Sequence, residues 1–310
     1  MPETQHLPVL LDETLELLGP KGGDVFIDAT LGLGGHTEAI LEKAGDIRVI
    51  GIDQDMEAIE FARKRLEKFG DRLSIVHSNF TEIKKVAGIE SANGILADLG
   101  VSSLQFDSGE RGFSFRFDAP LDMRMDADSD GPMAADLLAD RSQDEIANFI
   151  YLYGEERASR KIARWIVEKR DAGEPVTTTR QLASLVERAV KKGKKDKIHP
   201  ATRTFQALRI AVNCEIEILE RFLIDSVDVL KNEGRLAVIT FHSLEDRIVK
   251  QTFQKLSGKC FCPPRIPQCM CGALKRVEIL TRKPVIPSED EMNENPRSRS
   301  AKLRAIKKLN

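Results

Sequence analysis

The first hundred residues alternate short apolar runs with segments of helical spacing. Runs that predict strands lie at residues 24–30, 48–52, 73–77 and 94–99. Between the second and third, apolar residues recur every three or four positions over 56–69, which predicts an amphipathic helix. Strands joined by helices of this length require a parallel sheet with right-handed crossovers. The predicted fold class is therefore α/β.

This alternation stops after the fourth strand. Residues 107–132 are rich in Asp, Gly and Pro, and residues 133–207 show helical spacing only. A long helical segment is predicted over 202–230. Further strand signals follow near the end of the chain, at 235–241, 277–281 and 302–306.

These patterns predict an α/β domain in two pieces, residues 1–112 and 208–310. The piece between them, residues 113–207, is predicted to be an inserted all-helical domain. Insertions at the carboxyl edge of an open sheet lie over the ligand crevice. We therefore expect the insert to take part in substrate recognition.

Composition is that of a globular protein, with 41% hydrophobic and 31% charged residues. It excludes an intrinsically disordered chain, a collagen-like fibre and a disulfide-stapled mini-protein. No apolar run approaches the ~20 residues that cross a bilayer, and no signal-peptide pattern opens the chain. We expect a cytoplasmic protein that does not bind membranes.

The charges nearly balance, but the bases are clustered. Residues 186–209 hold eight bases against two acids, and residues 297–310 hold six bases and no acid. Such clusters are either a binding surface for a polyanion or ordinary solvated faces, and charge alone leaves both interpretations open.

A Gly-rich turn follows the first strand and runs from Asp28 to His36 (DATLGLGGH). A strand, a glycine turn and a helix N-terminus together present backbone N–H groups to a ligand. Asp53 ends the second strand, where a carboxylate can accept both hydrogens of a ribose diol. Thr37 stands where the dinucleotide-binding pattern has its last glycine. An adenosine-type cofactor without a pyrophosphate, such as S-adenosylmethionine, is favoured over NAD, with a plain tight turn as the alternative.

Two further candidates stand at strand ends. Phe80 follows the third strand, where its ring can stack on adenine, although a phenylalanine there is more often part of the core. Asp98 lies near the end of the fourth strand in an apolar setting. A carboxylate there is costly unless it is paired or functional, and we favour a functional role.

Eight sequence blocks across nearly the whole chain resemble the MraW/RsmH family. They are HLPVLLDE from His6, GGH from Gly34, DLGVSS from Asp98, ERGFSF from Glu110, PLDMRM from Pro120, HPATRTFQALR from His199, TFHSLEDR from Thr240 and NPRSRS from Asn295. The resemblance implies a class I (Rossmann-like) methyltransferase sheet with an inserted helical domain. It also implies S-adenosylmethionine-dependent methylation of the N4 atom of a cytidine in 16S ribosomal RNA, customarily numbered position 1402, in the decoding region. The implied substrate is the assembled small ribosomal subunit, and no DNA partner is expected.

The same resemblance assigns cofactor contacts, which are Gly34, Gly35, His36, Asp53, Phe80, Asp98 and Gln105. For catalysis, Asp98 is the first candidate to orient the amine or the sulfonium end, with Ser102 and Ser103 near it. His242, at the tip of the predicted strand 235–241, is the second candidate, as proton acceptor, although it is equally suited to satisfying local backbone groups. Many amino-methyltransferases carry an Asn- or Asp-Pro-Pro-aromatic motif here, whereas this chain has Asp98-Leu-Gly-Val.

A base that is to be modified must be single-stranded or flipped out of its stack. The two basic segments are then predicted to bind phosphates, with Arg203, Arg297 and Arg299 as the main candidates. Affinity for RNA is expected to fall as salt is raised.

Four cysteines form a C-x-C-x6-C-x-C pattern, at Cys260, Cys262, Cys269 and Cys271. Four thiols within twelve residues suit a tetrahedral structural zinc, although the usual spacing is C-x2-C. The alternative is a loop whose thiols bind no metal. Cys214 lies in a predicted helix and is expected in the core.

Two other functions are compatible with parts of this pattern. One is a non-catalytic RNA-binding ribosome-assembly factor that keeps the methyltransferase fold. The intact glycine turn, Asp53 and Asp98 argue against it, because such a factor has no need of a cofactor cleft. The other is an NAD-dependent oxidoreductase, which the missing last glycine disfavours.

Overall fold

The computed structural model describes residues 7–107, 109–190, 199–263, 270 and 273–310. The chain divides into two compact units. The first comprises Met1–Gly100 and Ile216–Asn310, and the second comprises Val101–Glu215.

The strands belong to the first unit. They are β1 (Val25–Asp28), β2 (Arg48–Asp53), β3 (Leu73–His77), β4 (Ala92–Asp98), β5 (Leu230–Thr240), β6 (Val277–Ile279) and β7 (Lys302–Lys308). They form one sheet in the order β3-β2-β1-β4-β5-β7-β6. The α/β class is thus confirmed, and each of the seven predicted strands is present.

The sheet is mixed, not wholly parallel. Strands β3, β2, β1, β4 and β5 run parallel, whereas β7 runs antiparallel to both β5 and β6. A parallel connection needs a crossover of a dozen or more residues, usually through a helix that packs on the sheet. The antiparallel return of β7 between β5 and β6 avoids that requirement.

The described residues form the following α-helices: α1 (Leu11–Leu18), α2 (Gly35–Glu42), α3 (Met56–Leu66), α4 (Ile83–Ala87), α5 (Ser103–Asp107), α6 (Ala134–Asp140), α7 (Gln143–Gly154), α8 (Ser159–Asp171), α9 (Thr179–Ala189), α10 (Thr202–Asn213), α11 (Glu215–Val229), α12 (Ser243–Leu256) and α13 (Glu289–Glu294). None of them combines the length and the hydrophobicity that a bilayer crossing needs.

Helices cover both faces of the sheet. Alternate residues of a strand point to opposite faces, so Phe26 of β1 packs with α1, α2 and α3, whereas Ile27 packs with α11 and α12. Both residues are fully buried. The sheet is therefore a central layer between two layers of helices.

The long helix predicted over 202–230 is two helices. Helix α10 ends at Asn213, and Cys214 adopts the left-handed conformation, with a φ of 50°, before α11 begins. Cys214 is exposed at this turn. The expectation that Cys214 lies in the core is therefore wrong, because the helix on which that expectation rested is broken at this residue.

The second unit is a bundle of helices α6–α10 around its own apolar core. Ser142 and Thr178 begin α7 and α9 with capping boxes, which satisfy backbone N–H groups at the helix starts. The segment ahead of the bundle, which the sequence shows to be rich in Asp, Gly and Pro, contributes Phe113 and Leu121 to the same core. The unit therefore begins twelve residues before, and ends eight residues after, the insert predicted from the sequence.

Candidate functional site

Acidic residues end three neighbouring parallel strands. Asp28 is the last residue of β1, Asp53 of β2 and Asp98 of β4. The carboxyl ends of parallel strands meet at one edge of the sheet, where open α/β sheets bind ligands. These three side chains are all among the residues that the sequence singles out.

Each glycine in the turn after β1 has its own structural reason. Gly34 has a φ of 77°, and a Cβ there would lie 2.7 Å from Leu66 of α3. A Cβ on Gly35 would lie 2.5 Å from Pro8. At Gly32, which has a φ of 50°, the nearest atom to a Cβ would be 3.9 Å away. Gly34 and Gly35 thus allow close packing, whereas a Cβ on Gly32 would meet no described residue closer than ordinary van der Waals contact.

Asp53 fastens this turn to the start of α3. Its Oδ2 accepts a hydrogen bond from the backbone N–H of Gly32 at 2.7 Å, and its Oδ1 accepts one from Asp55 at 2.9 Å. Burial raises the pKa of Asp53, against the effect of these hydrogen bonds. The sequence does not reveal this contact because the donor is a backbone group. Contact with a ribose, which the remaining lone pairs allow, stays a prediction.

Asp28 is held by the residue that stands in place of the last glycine. The hydroxyl of Thr37 donates to Oδ2 of Asp28 at 2.7 Å, and the backbone N–H of Thr30 donates to Oδ1 at 3.3 Å. Burial raises the pKa of Asp28 to about 6, with a further contribution from the charge of Asp53. Sequence reasoning treated Thr37 only as a missing glycine and missed this role.

Asp98 is the least satisfied acid of the group. Its Oδ1 is buried and has no hydrogen-bond partner among the described residues, although about a quarter of the side chain, 23%, is exposed. Burial raises the pKa of Asp98 well above its usual range, and the nearby carboxyls of Asp28 and Glu245 raise it further. A buried acceptor without a donor is costly. The arrangement suits a ligand that brings an N–H group or a positive charge.

His36 lies between this acid and the N-terminal segment. Its Nε2 is 3.0 Å from the carbonyl oxygen of Val9. A carbonyl only accepts, so Nε2 carries the proton. The Nδ1 atom is 3.8 Å from Oδ2 of Asp98. His36 is thus placed at the acid with which the resemblance groups it.

His242 caps the helix that follows β5. Its Nδ1 accepts from the backbone N–H of Glu245 at 3.4 Å, and its Nε2 lies 3.0 Å from Oε1 of Glu245. The other carboxylate oxygen of Glu245 accepts from the backbone N–H of Phe241 at 2.8 Å. This geometry agrees with the alternative that His242 satisfies local backbone groups. Its role as proton acceptor stays a prediction.

Phe80 is half-buried against the core. Its ring meets Phe222 edge-on, with the centroids 4.7 Å apart.

At the ends of β2 and β3, the amide of Asn79 donates to Oε1 of Gln54 at 2.7 Å, a polar pair beside Phe80 that sequence reasoning did not identify. Adenine stacking on Phe80 stays a prediction.

Several predicted site residues belong to the second unit. Gln105 is buried. Its Oε1 accepts a hydrogen bond from the backbone N–H of Ser102 at 3.1 Å, and the backbone N–H of Gln105 donates to the Ser102 hydroxyl at 3.2 Å. Ser103 begins α5, but its side chain lies outside the described residues. The roles of these three residues at the cofactor stay predictions.

The first basic segment is described only in part, and two of its described bases differ in their surroundings. Arg203 is exposed on α10. Arg209 instead makes two hydrogen bonds to the carboxylate of Glu215, at 2.8 and 2.7 Å. Residues 191–198, which contain all five lysines of this segment, lie outside the described ranges.

The second basic segment is largely neutralised within the first unit. Arg297 and Arg299 are exposed on a short 3-10 helix, Pro296–Ser300. The four bases of β7 all meet acids: Lys302 and Arg304 meet Asp246 at 3.1 and 2.7 Å, Lys307 meets Glu233 and Glu278 at 2.9 and 3.3 Å, and Lys308 meets Glu90 at 3.5 Å. The four bases of β7 are thus paired with acids, and phosphate binding by this segment stays a prediction that rests mainly on the two arginines.

Half of the cysteine pattern is described. The Sγ of Cys260 accepts from the backbone N–H of Cys262 at 3.4 Å, and the Sγ of Cys262 accepts from that of Met270 at 3.3 Å. Cys269 and Cys271 lie outside the described residues. The four-cysteine zinc site stays a prediction.

Comparison with known proteins extends over the whole chain. The model of the MraW methylase family matches residues 3–309. A relative from Carboxydothermus hydrogenoformans is 50% identical over 99% of each chain, and one from Trichlorobacter lovleyi is 51% identical over 100% of each; both are named ribosomal RNA small subunit methyltransferase H. A solved SAM-dependent O-methyltransferase from Thermotoga maritima covers 100% of this chain and 69% of its own, with 11% identity and a TM-score of 0.43. The family model and the two relatives show that the chain belongs to the MraW methylase family and confirm the methyltransferase class, while the strand order of its own sheet confirms the Rossmann-like fold.

Proposed function

We propose that this methyltransferase transfers a methyl group from S-adenosylmethionine to N4 of a decoding-region cytidine, position 1402, of 16S ribosomal RNA. The proposed substrate is the assembled small subunit, because a cytidine in that region is recognised in its tertiary setting. Two relatives that are 50% and 51% identical to this chain over nearly their whole length are named small-subunit rRNA methyltransferases. The observation that carries the site is the buried Oδ1 of Asp98, which has no hydrogen-bond partner among the described residues.

The residues present fit such a cofactor. Its sulfonium and amino groups are positive, and Asp28, Asp53 and Asp98 make this edge of the sheet acidic. An opposite charge nearby favours the ionised form of a carboxyl. Asp53 keeps lone pairs for ribose hydroxyls, and Gly32 leaves room for close approach. When bound, S-adenosylmethionine supplies an electrophilic methyl group.

The chemistry needs an acceptor for a proton. The lone pair of a cytosine N4 amine is delocalised into the ring, and N4 must lose a proton when it gains a methyl group. Asp98 in its ionised form can accept a hydrogen bond from N4–H, hold the amine in line and take that proton. Ser102 and Ser103 are the proposed neighbours that help to position the amine. His242 is the second candidate acceptor, although its contacts with Glu245 leave it less able to move.

RNA binding is assigned to three exposed arginines, one in the second unit and two near the C-terminus. They are Arg203, Arg297 and Arg299. Guanidinium groups match phosphate oxygens in a two-pronged geometry. They are proposed to contact the backbone around the target cytidine.

The test is transfer of a labelled methyl group from S-adenosylmethionine to small subunits that lack the modification. We expect the label on N4 of one decoding-region cytidine with the wild-type protein. Asp98→Asn should lose at least a hundredfold in rate, since general acid–base groups contribute about 10²–10⁴-fold. Asp71→Asn, at an exposed aspartate of the same unit, should transfer at the wild-type rate.

The outcomes separate the candidate functions. Label on another nucleotide would contradict the N4 assignment and leave the methyltransferase with a different target. Tight cofactor binding with no transfer to small subunits would contradict the substrate assignment. Binding to small subunits with no measurable cofactor affinity would instead favour the assembly factor.

Zinc is a separate hypothesis with its own test. The sulfurs of Cys260 and Cys262 both accept backbone hydrogen bonds, and the second donor, Met270, stands between the other two cysteines. Thiolate ligands in tetrahedral sites are held in short loops of this kind. Elemental analysis of the purified protein should find one zinc per chain, which Cys262→Ser removes and Cys214→Ser retains. Less than a tenth of a zinc per chain would contradict the site.

A further inference from the structure

A cavity of about 330 Å³ opens in the first unit between the residues that follow β5 and the segment that precedes β7. Its lining includes Phe241, Ile286, Pro287, Met292 and Arg299. Small-molecule pockets begin at about 300 Å³, so the cavity holds one small ring system with its substituents. None of the proposed cofactor contacts is among its lining residues.

Phe241 lines one side of the cavity. The backbone N–H of Phe241 is held by Glu245 at 2.8 Å. Gly100, with a φ of 110°, lies behind the ring, and a Cβ on this residue would come within 3.3 Å of Phe241. The backbone at Phe241 is thus anchored to Glu245, and the ring of Phe241 lies against the Gly100 backbone.

Apolar side chains complete the slot. Pro287 is buried and Met292 is half-buried, whereas Ile286 is 63% exposed. An aromatic ring with flat apolar partners is the platform on which unstacked nucleobases bind. A solvent-exposed isoleucine at such a slot gains from being covered.

Arg299 supplies positive charge at the same cavity. It is exposed, and no hydrogen bond or ion pair joins its guanidinium to another residue in the described ranges. Lys302, which also lines the cavity, is engaged with Asp246 at 3.1 Å. The cavity thus pairs an apolar slot with one guanidinium available for an anion, which matches a base and its phosphate.

The cavity adjoins the proposed methyl-transfer site, because His242, the second candidate proton acceptor, is one of its lining residues. Asp98 of β4 pairs with Ile239 of β5, and Phe241 follows two residues later at the same edge of the sheet. Neighbouring strands lie about 4.8 Å apart. Asp98 does not line the cavity, so the base that meets Asp98 is not the base held here.

We propose that this cavity binds the nucleotide next to the methylated one in a single strand of RNA. Its base lies against Phe241 and Ile286, and its phosphate meets Arg299. This inference rests on the proposed function only for the identity of the target. The occupant is recognised by stacking and charge, and therefore with little preference among bases.

The experiment uses the full chain and single-stranded twelve-nucleotide RNAs that contain one cytidine. In one set, 5-iodouridine stands directly before or after the cytidine, and irradiation is followed by mass spectrometry of the cross-linked peptides. We expect the cross-link at Phe241 or Met292 for one of the two positions. Cross-links confined to peptides outside the cavity would overturn the proposal.

Affinity measurements give a second, independent readout. By fluorescence anisotropy, Arg299→Ala should weaken binding of the same RNAs about fivefold to tenfold and lower the slope of log affinity against log salt by about one. Phe241→Leu should weaken binding about tenfold without changing the slope. Arg63→Ala, at an exposed arginine of α3, is the matched control and should change neither quantity.

An abasic nucleotide beside the cytidine directly tests the proposed contact between the neighbouring base and Phe241. It should weaken binding to the wild-type protein about tenfold and add nothing further in Phe241→Leu. If Phe241→Leu fails to fold, Arg299→Ala still decides, because an affinity and slope equal to those of Arg63→Ala would overturn the proposal. None of these measurements requires methyl transfer. A cross-link in the cavity together with inactive subunit assays would therefore overturn the proposed function and not this site.

Discussion

The hydroxyl of Thr37, in the first turn of α2, donates a 2.7 Å hydrogen bond to Oδ2 of Asp28 at the end of β1. Both residues are buried, at 0% and 1% exposure. This bond joins the strand before the glycine turn to the helix after it. The threonine that breaks the dinucleotide pattern is therefore a structural part of the turn.

Removing that hydroxyl is expected to destabilise the first unit. Thr37→Val keeps the shape of the side chain but leaves a buried carboxylate oxygen without its donor, which costs about 1–3 kcal/mol. Urea denaturation at pH 7 measures the free energy of unfolding. Thr81→Val, at a half-buried threonine of the same unit, is the control and should stay within about 0.5 kcal/mol of wild type. Equal losses in both variants would contradict the role of the bond.

Asp28 should make stability fall as pH rises. Its pKa is about 6 in the folded protein, whereas an ordinary aspartate, as in the unfolded chain, has a pKa of 3.8. The native state therefore holds the proton more tightly than the unfolded state. Between pH 4 and pH 6 the native state therefore loses stability, by about 3 kcal/mol in all, and the loss is complete above pH 6. Asp28→Asn has no such titration.

The measurement is urea unfolding of wild type and Asp28→Asn at pH 4, 5, 6 and 7. The stability of wild type relative to the variant should fall over this range. A constant difference would mean that Asp28 titrates with an ordinary pKa.

Asp98 should release a proton when the cofactor binds. Burial and the carboxyls of Asp28 and Glu245 raise its pKa, so the free protein holds this proton more tightly than an ordinary carboxyl does, and a cationic ligand favours the ionised form. Cofactor affinity should then increase with pH until it passes the raised pKa of the free protein. Calorimetry in buffers of different ionisation enthalpy should detect proton release on cofactor binding, approaching one proton per cofactor at pH values below the raised pKa.

Asp98→Asn is the variant that tests this coupling. It should bind more weakly and release no proton, whereas Asp71→Asn should match wild type. Release of a full proton by Asp98→Asn would assign the titration to another group.

The salt dependence of RNA binding should separate exposed arginines from internally paired lysines. Arg203 is exposed on α10, and Arg203→Ala should lower the slope of log affinity against log salt by about one. Lys307 is paired with Glu233 and Glu278, so Lys307→Ala should leave the slope unchanged. Filter binding to small subunits between 50 and 200 mM salt measures the slope for both variants. Over this range the affinity of a protein that contacts phosphates changes strongly with salt. A lower slope in Lys307→Ala, with no change in Arg203→Ala, would instead assign RNA binding to β7.

Much of the site could be predicted because its residues stand at recognisable places in local patterns. Asp53 and Asp98 end apolar runs, and runs of that length in a βαβ rhythm form parallel strands whose carboxyl ends meet. What those acids touch was not predictable. The donors to Asp53 are backbone N–H groups of Gly32 and Asp55, and a backbone group carries no signature in a sequence.

The amino-acid sequence by itself determined the order of the seven strands along the chain, the glycine turn, the acids at the strand ends and the family. These follow from periodicities and motifs within a few residues of each other. Only the tertiary structure decided the antiparallel position of β7, the exposed turn at Cys214 and the neutralisation of the last basic segment. Lys302 meets an acid 56 positions away in the chain. Such pairs depend on which strands become neighbours, and a local pattern does not contain that information.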